Sequence, residues 1–428
     1  MNLLSSGVPT SKLPSPASPC AWAAALALAC GLGCVHRGAS WQREPDSDRL
    51  GADSFGIVAL GQPRPGRASR EVAEQLDALL AKERAAGRST LVLWLGHDFG
   101  PPGSDRFRPG DCPTRSPWLE PGMRELAATL DAHLASGGTI WGLPGPDGWR
   151  CGLPELSGSP AIAQPSAAYL IRVDASGHAE LASTCTADAC SIVAPASGEA
   201  PRLELVFIDP SAWIYPELDR PGSPAHAALG ELDLLLGALA DADPSTPRVL
   251  VSSIPIESAG AHGFGAVRAR SALRWQPESV RRAIGEGRFL GVVAGLERDV
   301  QASRDLSGAI VRSNRSFLPA PLFQVVSGAA GGARPTLPVS RGNSLINELE
   351  SDHAGFAWLR FDLAGGEQLG EIQVELHARV AGRWQVGSFT VPADPSAVGP
   401  LREVPPIQFC LRCDAVRGAA DGEVWFDR

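Results

Sequence analysis

The chain has 428 residues, of which 44% are hydrophobic and 20% are charged, and its formal net charge is −9 at pH 7. These proportions allow a packed core, and the length suffices for one large α/β domain or two ordinary domains. The negative charge, with no basic stripe to offset it, argues against a nucleic-acid-binding function.

Residues 1–34 are predicted to be an export signal. The apolar run over 21–32 is shorter than the roughly 20 residues that a membrane-spanning helix needs, and it contains small residues. Cys30 and Cys34 each follow small residues, as in the signal of a bacterial lipoprotein, so either is a candidate for lipidation. A plain cleaved signal peptide is the alternative. Both interpretations predict an exported protein, which is periplasmic or anchored to a membrane by lipid.

Short apolar strands alternate with helices after a polar stretch over 35–52, which is predicted to be a tether. The predicted strands are 57–60, 91–95, 139–141, 168–173, 203–208, 248–253, 289–294 and 322–326. The predicted helices are 69–86, 121–136, 225–241 and 276–286. This alternation implies a layered α/β fold with its site at the ends of the strands.

The segment over 356–391 alternates apolar and polar residues in strand fashion and is predicted to complete the edge of a sheet. One domain is therefore expected over 53–395. A tail over 396–428 follows it.

Six cysteines beyond the signal form an even set, which favours an oxidising compartment. Cys185 and Cys190 bracket four residues of a predicted hairpin and are expected to form a disulfide. Cys410 and Cys413 form a CxxC pair, for which a small-loop disulfide is favoured over a redox-active pair or a zinc site.

Polar or glycine-containing segments stand after the predicted strands. They are Gly61-Gln62-Pro63, LGHDFGPPG over 95–103, LPGPDGW over 143–149, Asp209, VSSIP over 251–255, SAGAHG over 258–263, VAGLERDVQ over 293–301 and QVVSGAA over 324–330. In order and context they resemble the sequence blocks of the calcineurin-like metallophosphoesterases, in particular a purple acid phosphatase-like bacterial subgroup. The resemblance covers about 54–361 and implies a four-layer α/β sandwich, in which helices flank two mixed β-sheets.

The residues that bind metal in that family are replaced at almost every block. Gln62 stands at an Asp position of the family, and His97 and Asp98 stand at its next Asp and Asn positions. Pro146 and Asp147 replace an Asn and a His, and Ser253 occupies the ligand position of the His-Pro block. Leu296 and Arg298 replace two further His residues. A binuclear phosphoesterase needs two divalent metals about 3.5–4 Å apart, held by carboxylates, an amide and imidazoles. Pro146 and Leu296 have no donor atom, and Arg298 is always cationic. A dinuclear site of the family type is therefore not expected.

Four residues of these blocks remain candidates for a single metal ion, namely His97, Asp98, Asp147 and Glu297. The favoured interpretation is instead that His97 and Asp147 form a buried hydrogen-bonded pair. The resemblance also brings together the loops that carry Cys112 and Cys151, so these two cysteines are expected to form a disulfide.

The sequence thus predicts a catalytically inactive phosphoesterase fold with a binding or structural role in the cell envelope and with no resident cofactor. The expected partner is an envelope protein or an anionic small molecule, which Arg298 would bind. The alternative is a metal-dependent phosphoric ester hydrolase that uses one divalent metal in a rebuilt site.

Overall fold

The structure is a computed structural model. It describes residues 54–96, 115–151, 159–185, 188–194, 201–211, 224–242, 246–256, 278–286, 288–295, 299–304, 322–332, 349–351, 353–364, 368–380 and 382–393. The predicted signal, the tether and the tail over 396–428 lie outside these residues.

Five α-helices occur in the described residues: α1 is Arg67–Ala85, α2 is Met123–Ala135, α3 is Gly145–Cys151, α4 is Pro224–Asp241 and α5 is Glu278–Gly285. The strands are β1 Ser54–Leu60, β2 Thr90–Trp94, β3 Thr139–Gly142, β4 Ala168–Val173, β5 Ala179–Leu181, β6 Ser183–Cys185, β7 Cys190–Ile192, β8 Leu203–Ile208, β9 Arg248–Ser252, β10 Gly291–Ala294, β11 Val300–Arg304, β12 Phe323–Ser327, β13 Leu349–Ser351, β14 Gly355–Ala364, β15 Gln368–Val380 and β16 Arg383–Pro392.

Two mixed sheets form the centre of the fold. Sheet A has six described strands in the order β16-β15-β14-β1-β2-β3, in which β1, β2 and β3 are parallel, and β14, β15 and β16 add an antiparallel meander. Sheet B has eight strands in the order β13-β11-β12-β10-β9-β8-β4-β5, with β8, β9, β10 and β12 parallel. The predicted role of 356–391 at the edge of a sheet is confirmed.

Three apolar clusters show how the layers stack. The largest lies between the sheets and joins Ile57 and Leu359 of sheet A to Phe207 and Val293 of sheet B. A second packs α1 and α2 on the outer face of sheet A, and a third packs α4 and α5 on the outer face of sheet B. The order helix, sheet, sheet, helix is the predicted four-layer α/β sandwich.

The predicted disulfide between Cys185 and Cys190 is confirmed, and it bridges β6 and β7. Cys151 is also disulfide-bonded. Its expected partner Cys112, like Cys410, Cys413 and the lipidation candidates, lies outside the described residues.

The prediction that Cys151 lies in a loop was wrong, because the segment after β3 forms the short helix α3. Pro146 is the second residue of this helix. Proline lacks an N–H group and has a fixed φ near −65°, and both properties suit the first helical turn.

A buried ion cluster ties α1 to sheet A. Glu83 accepts two hydrogen bonds from Arg88, at 2.7 and 2.8 Å, and one from Nη2 of Arg360 at 3.3 Å. The side chains of Glu83 and Arg360 are each only 1% exposed, and the guanidinium of Arg360 stacks 4.4 Å from the ring centre of Trp358. Removing the carboxylate would take an ion-pair partner away from a buried guanidinium.

Glu83→Ala is accordingly expected to lower the free energy of unfolding by about 3–5 kcal/mol, measured by chemical denaturation. The matched control is Arg67→Ala, because Arg67 is 82% exposed and pairs with Glu71 one helical turn away. That change is expected to alter stability by about 0.5 kcal/mol or less. Equal effects of the two substitutions would show that the buried cluster has no special role.

Candidate functional site

The candidate site lies where the carboxyl ends of the parallel strands of the two sheets meet. At Gly61, after β1, an added Cβ would lie 2.3 Å from the carbonyl oxygen of Ser327 at the end of β12. At Gly295, after β10, it would lie 2.5 Å from the carbonyl oxygen of Leu95 after β2. The backbones of the two sheets therefore approach so closely here that only glycine fits at these two positions.

Further hydrogen bonds join β1 and the segment after it to β12 and the loop after it, including one from the N–H of Ala330 to the carbonyl of Gly61 at 3.2 Å. The hydroxyl of Ser327 donates to the carbonyl of Ala59 at 2.6 Å. The hydroxyl of Ser69 lies within hydrogen-bonding distance of the carbonyls of Arg64 and Ala330, at 2.6 and 3.0 Å. These contacts join the two loops, which together form a rim at this end of the sandwich.

Gln62, at the first family position, is buried on this rim with 6% exposure. Its φ of 51° is the only positive φ at a non-glycine residue in the described part of the chain. Its N–H donates to the carbonyl of Gly96 at 3.3 Å. A left-handed conformation at such a residue is unfavourable by about 1–3 kcal/mol, so the surrounding contacts impose it.

Asp209, directly after β8, is the centre of the site. Its Oδ2 accepts hydrogen bonds from the backbone N–H of Gly145 at 2.7 Å and from the indole N–H of Trp149 at 3.0 Å. Its Oδ1 accepts from the hydroxyl of Ser253 at 2.7 Å, from the N–H of Ser211 at 3.0 Å and from the hydroxyl of Ser211. A carboxylate has about four lone-pair sites, so these five donors saturate it.

This network crosses from one sheet to the other. Asp209 and Ser253 follow strands β8 and β9 of sheet B, whereas Gly145 and Trp149 belong to α3, which follows β3 of sheet A. Asp209 is 2% exposed and Ser253 is 1% exposed. The donors named above are all uncharged, and their hydrogen bonds stabilise the buried carboxylate.

Tyr169 makes a second link between the sheets near the same place. Its hydroxyl, on β4, donates to the carbonyl of Gly142 at the end of β3, at 2.7 Å. Burial raises the pKa of Tyr169 well above its usual value of about 10, so the hydroxyl stays protonated and remains a donor. Its ring stacks on Phe207 with 4.4 Å between the ring centres.

Two further residues of the family blocks have structural roles. The carboxamide of Gln301 donates to Oδ2 of Asp299 at 2.7 Å, where the chain enters β11. Oε1 of Gln324, on β12, accepts from the N–H of Ile256 at 2.8 Å and so fixes the segment after β9.

The sequence predicts that the eight replaced family positions and the metal candidate Glu297 lie at this end of the fold, and the structure describes only some of them. Gln62 and Ser253 lie at the strand ends as expected, and Ser253 bonds to Asp209. Pro146 and Asp147 lie in α3, but their side chains are outside the described set. His97, Asp98, Leu296, Glu297 and Arg298 lie outside the described residues, so the His97–Asp147 pair and the single-metal site stay predictions.

Within the side chains that the structure describes, no three His, Cys, Asp or Glu residues converge as a metal site. None of the helices in the described ranges has the length and apolar character needed to cross a membrane.

Sequence reasoning missed the roles of Asp209, Trp149 and Ser211. One local signal was present, since Asp209-Pro210-Ser211 follows a buried strand that is apolar except for Glu204. An Asp whose side chain accepts the N–H two residues later forms an Asx turn, and the hydrogen bond from Ser211 is of this kind. Nothing local indicates the bonds to Gly145 or Trp149.

Comparison with known proteins finds no matching family model and no matching curated protein. Among solved structures, the chain is similar to GAP50, the anchor in the inner membrane complex of Plasmodium, with 12% identity and a TM-score of 0.47. That similarity covers 79% of this chain and 88% of GAP50. The chain is also similar to the purple acid phosphatase PPD1 from yellow lupin (Lupinus luteus) seeds, with 12% identity and a TM-score of 0.41, covering 79% of this chain and 54% of the lupin enzyme.

Asp209→Asn is expected to destabilise the protein by about 2 kcal/mol or more, because an amide NH₂ would face buried donors that now meet a carboxylate. The matched control is Asp174→Asn. The Oδ1 of Asp174 accepts from two N–H groups and one hydroxyl in an exposed turn.

The control is expected to lower the free energy of unfolding by about 1 kcal/mol or less, since water can replace the lost bonds. Chemical denaturation of the three proteins measures the difference. Equal effects at the two positions would contradict the central role of Asp209.

Proposed function

We propose that this chain is an exported, catalytically inactive protein with a phosphoesterase-like fold, whose role in the cell envelope is to bind or to assemble. The observation that carries the proposal is the hydrogen bond from Ser253 to Asp209. The side chain at a family ligand position is directed to a buried carboxylate of the protein itself.

The chemistry of the other family positions supports the same conclusion. Gln62 offers at most a neutral carbonyl from a backbone conformation imposed by the rim. Pro146 and Leu296 have no donor atoms in their side chains, and Arg298 carries a permanent positive charge. A binuclear centre needs anionic or imidazole ligands at these positions to hold two cations close together.

The proposed ligand is an anion, bound through Arg298, which follows β10 by four positions in the sequence. Arginine presents a planar array of N–H donors that fits phosphate and carboxylate groups. An envelope protein with an acidic group on its surface would present the same kind of ligand to Arg298.

Export is proposed on two features of the chain. The first is the signal-like sequence over 1–34, with Cys30 or Cys34 as the lipidation site in its lipoprotein form. The second is the disulfide between Cys185 and Cys190, a bond that persists in oxidising compartments.

The rival function is a hydrolase with one divalent metal bound by His97, Asp98, Asp147 and Glu297. An assay of aryl phosphate hydrolysis in the presence of Mn²⁺, Fe²⁺ or Zn²⁺ separates it from the proposal. We expect no turnover above that of the buffer. Metal-dependent turnover that His97→Ala abolishes, and that His178→Ala at an exposed position leaves unchanged, would establish the rival.

Anion binding is tested by the shift in the melting temperature of the protein when inorganic phosphate is added. We expect stabilisation that is lost in Arg298→Gln and retained in Arg282→Gln, which removes an equal charge from an exposed position on α5. Equal shifts in both variants would show that phosphate does not bind through Arg298.

A further inference from the structure

The outer edge of sheet A is formed by β16, a strand of ten residues that pairs along its whole length with β15. No other described strand pairs with it on its second side. The strands at the other three edges of sheets A and B, namely β3, β5 and β13, have only three or four residues each. A long open edge is unusual in a native protein, because its unpaired backbone groups invite another strand.

The hydrogen bonds to β15 show which backbone groups of β16 point outward. The N–H of Ala393 donates to the carbonyl of Gly370, and the pairing of the two strands continues without a register shift. Hydrogen-bonded pairs alternate along an antiparallel ladder, so the odd-numbered residues of β16 bond to β15. The N–H and C=O groups that face outward are those of Trp384, Val386, Ser388 and Thr390.

This edge is accessible and nearly uncharged. The side chain of Thr390 is exposed, and those of Trp384, Val386 and Ser388 are half-buried. Arg383, the first residue, is the only charged residue of the strand. The lysines and glutamates that commonly protect an edge strand from pairing are absent from β16.

We propose that β16 pairs with β16 of a second copy of this chain, so that sheet A continues across a two-fold axis in a homodimer. The antiparallel register centred on Gly387 sets Trp384 opposite Thr390 of the second copy and Val386 opposite Ser388. All four outward N–H groups then find acceptors, which gives about eight hydrogen bonds. Cyclic two-fold dimers are also the commonest oligomers of soluble proteins.

Charge and side-chain size fit this register. Arg383 lies opposite Val391 of the second copy, and the two Arg383 residues are at opposite ends of the paired strands. Gly387 lies on the two-fold axis, opposite Gly387 of the second copy. This is a non-hydrogen-bonded pair, in which the two Cα atoms are about 4.5 Å apart. Pro392, which has no N–H to donate, lies beyond the four paired residues at the end of the strand.

The test is the mass of the purified protein in solution, from size-exclusion chromatography with light scattering over a range of concentrations. We expect a mass of two chains. Ser388→Pro removes one outward N–H per chain and keeps the bonds to β15, so it is expected to weaken dimerisation about tenfold or more. Ser388→Ala retains that N–H and is expected to remain dimeric.

A second variant tests the same interface without a proline, in case Ser388→Pro does not fold. Circular dichroism checks that each variant is folded. Val386→Lys brings two ammonium groups close together across the axis and is expected to give monomers. Thr390→Lys adds the same charge far from the axis and is expected to remain dimeric. A monomeric wild-type protein, or a dimer that survives both Ser388→Pro and Val386→Lys, would overturn the proposal.

Discussion

The buried carboxylate of Asp209 is the interaction on which this end of the molecule depends. It collects donors from the end of β9, from its own turn and from α3, and so fixes three segments from two sheets around one charge. A buried carboxylate is unfavourable unless its lone pairs are satisfied. The hydrogen bonds from Ser253 and Trp149 help to satisfy it, and the sheets also approach closely at Gly61 and Gly295 at the same end of the fold.

The consequence is chemical as well as structural. A carboxylate already saturated with donors has no lone pair left for a cation, and a hydroxyl that donates to it is held away from a ligand role. The rim keeps one strained residue, Gln62, and such strain persists only where the surroundings impose it. In the described residues, this end of the fold therefore has a buried carboxylate whose hydrogen-bonding capacity is already used by the protein itself.

Much of the layered fold could be predicted from the sequence, because its strands are short apolar runs with sharp ends. The bounds predicted for β4 and β8 match the structure, and each of these strands is an almost continuous buried run. The pairing of β1 with β14 was not predictable in this way, since it joins residues about 300 positions apart along the chain. The helix α3 was missed because seven residues that include two glycines and a proline carry little helical signal.

The site was harder to predict than the fold for the same physical reason. The bonds of Asp209 to Ser253, Trp149 and Gly145 span 44, 60 and 64 positions, so no local pattern reveals them. The resemblance to a metal-binding family pointed to the ligand positions, whereas the residue that accepts the hydrogen bond of Ser253 is Asp209, to which no role was assigned.

The most direct test of this account is the metal content of the purified protein, determined by elemental analysis before and after incubation with Mn²⁺, Fe²⁺ and Zn²⁺. The account predicts no stoichiometric metal under any of these conditions. Close to two equivalents per chain, the content of a binuclear phosphoesterase, would contradict it. One tightly bound equivalent that is lost on His97→Ala or Asp147→Ala would contradict it as well.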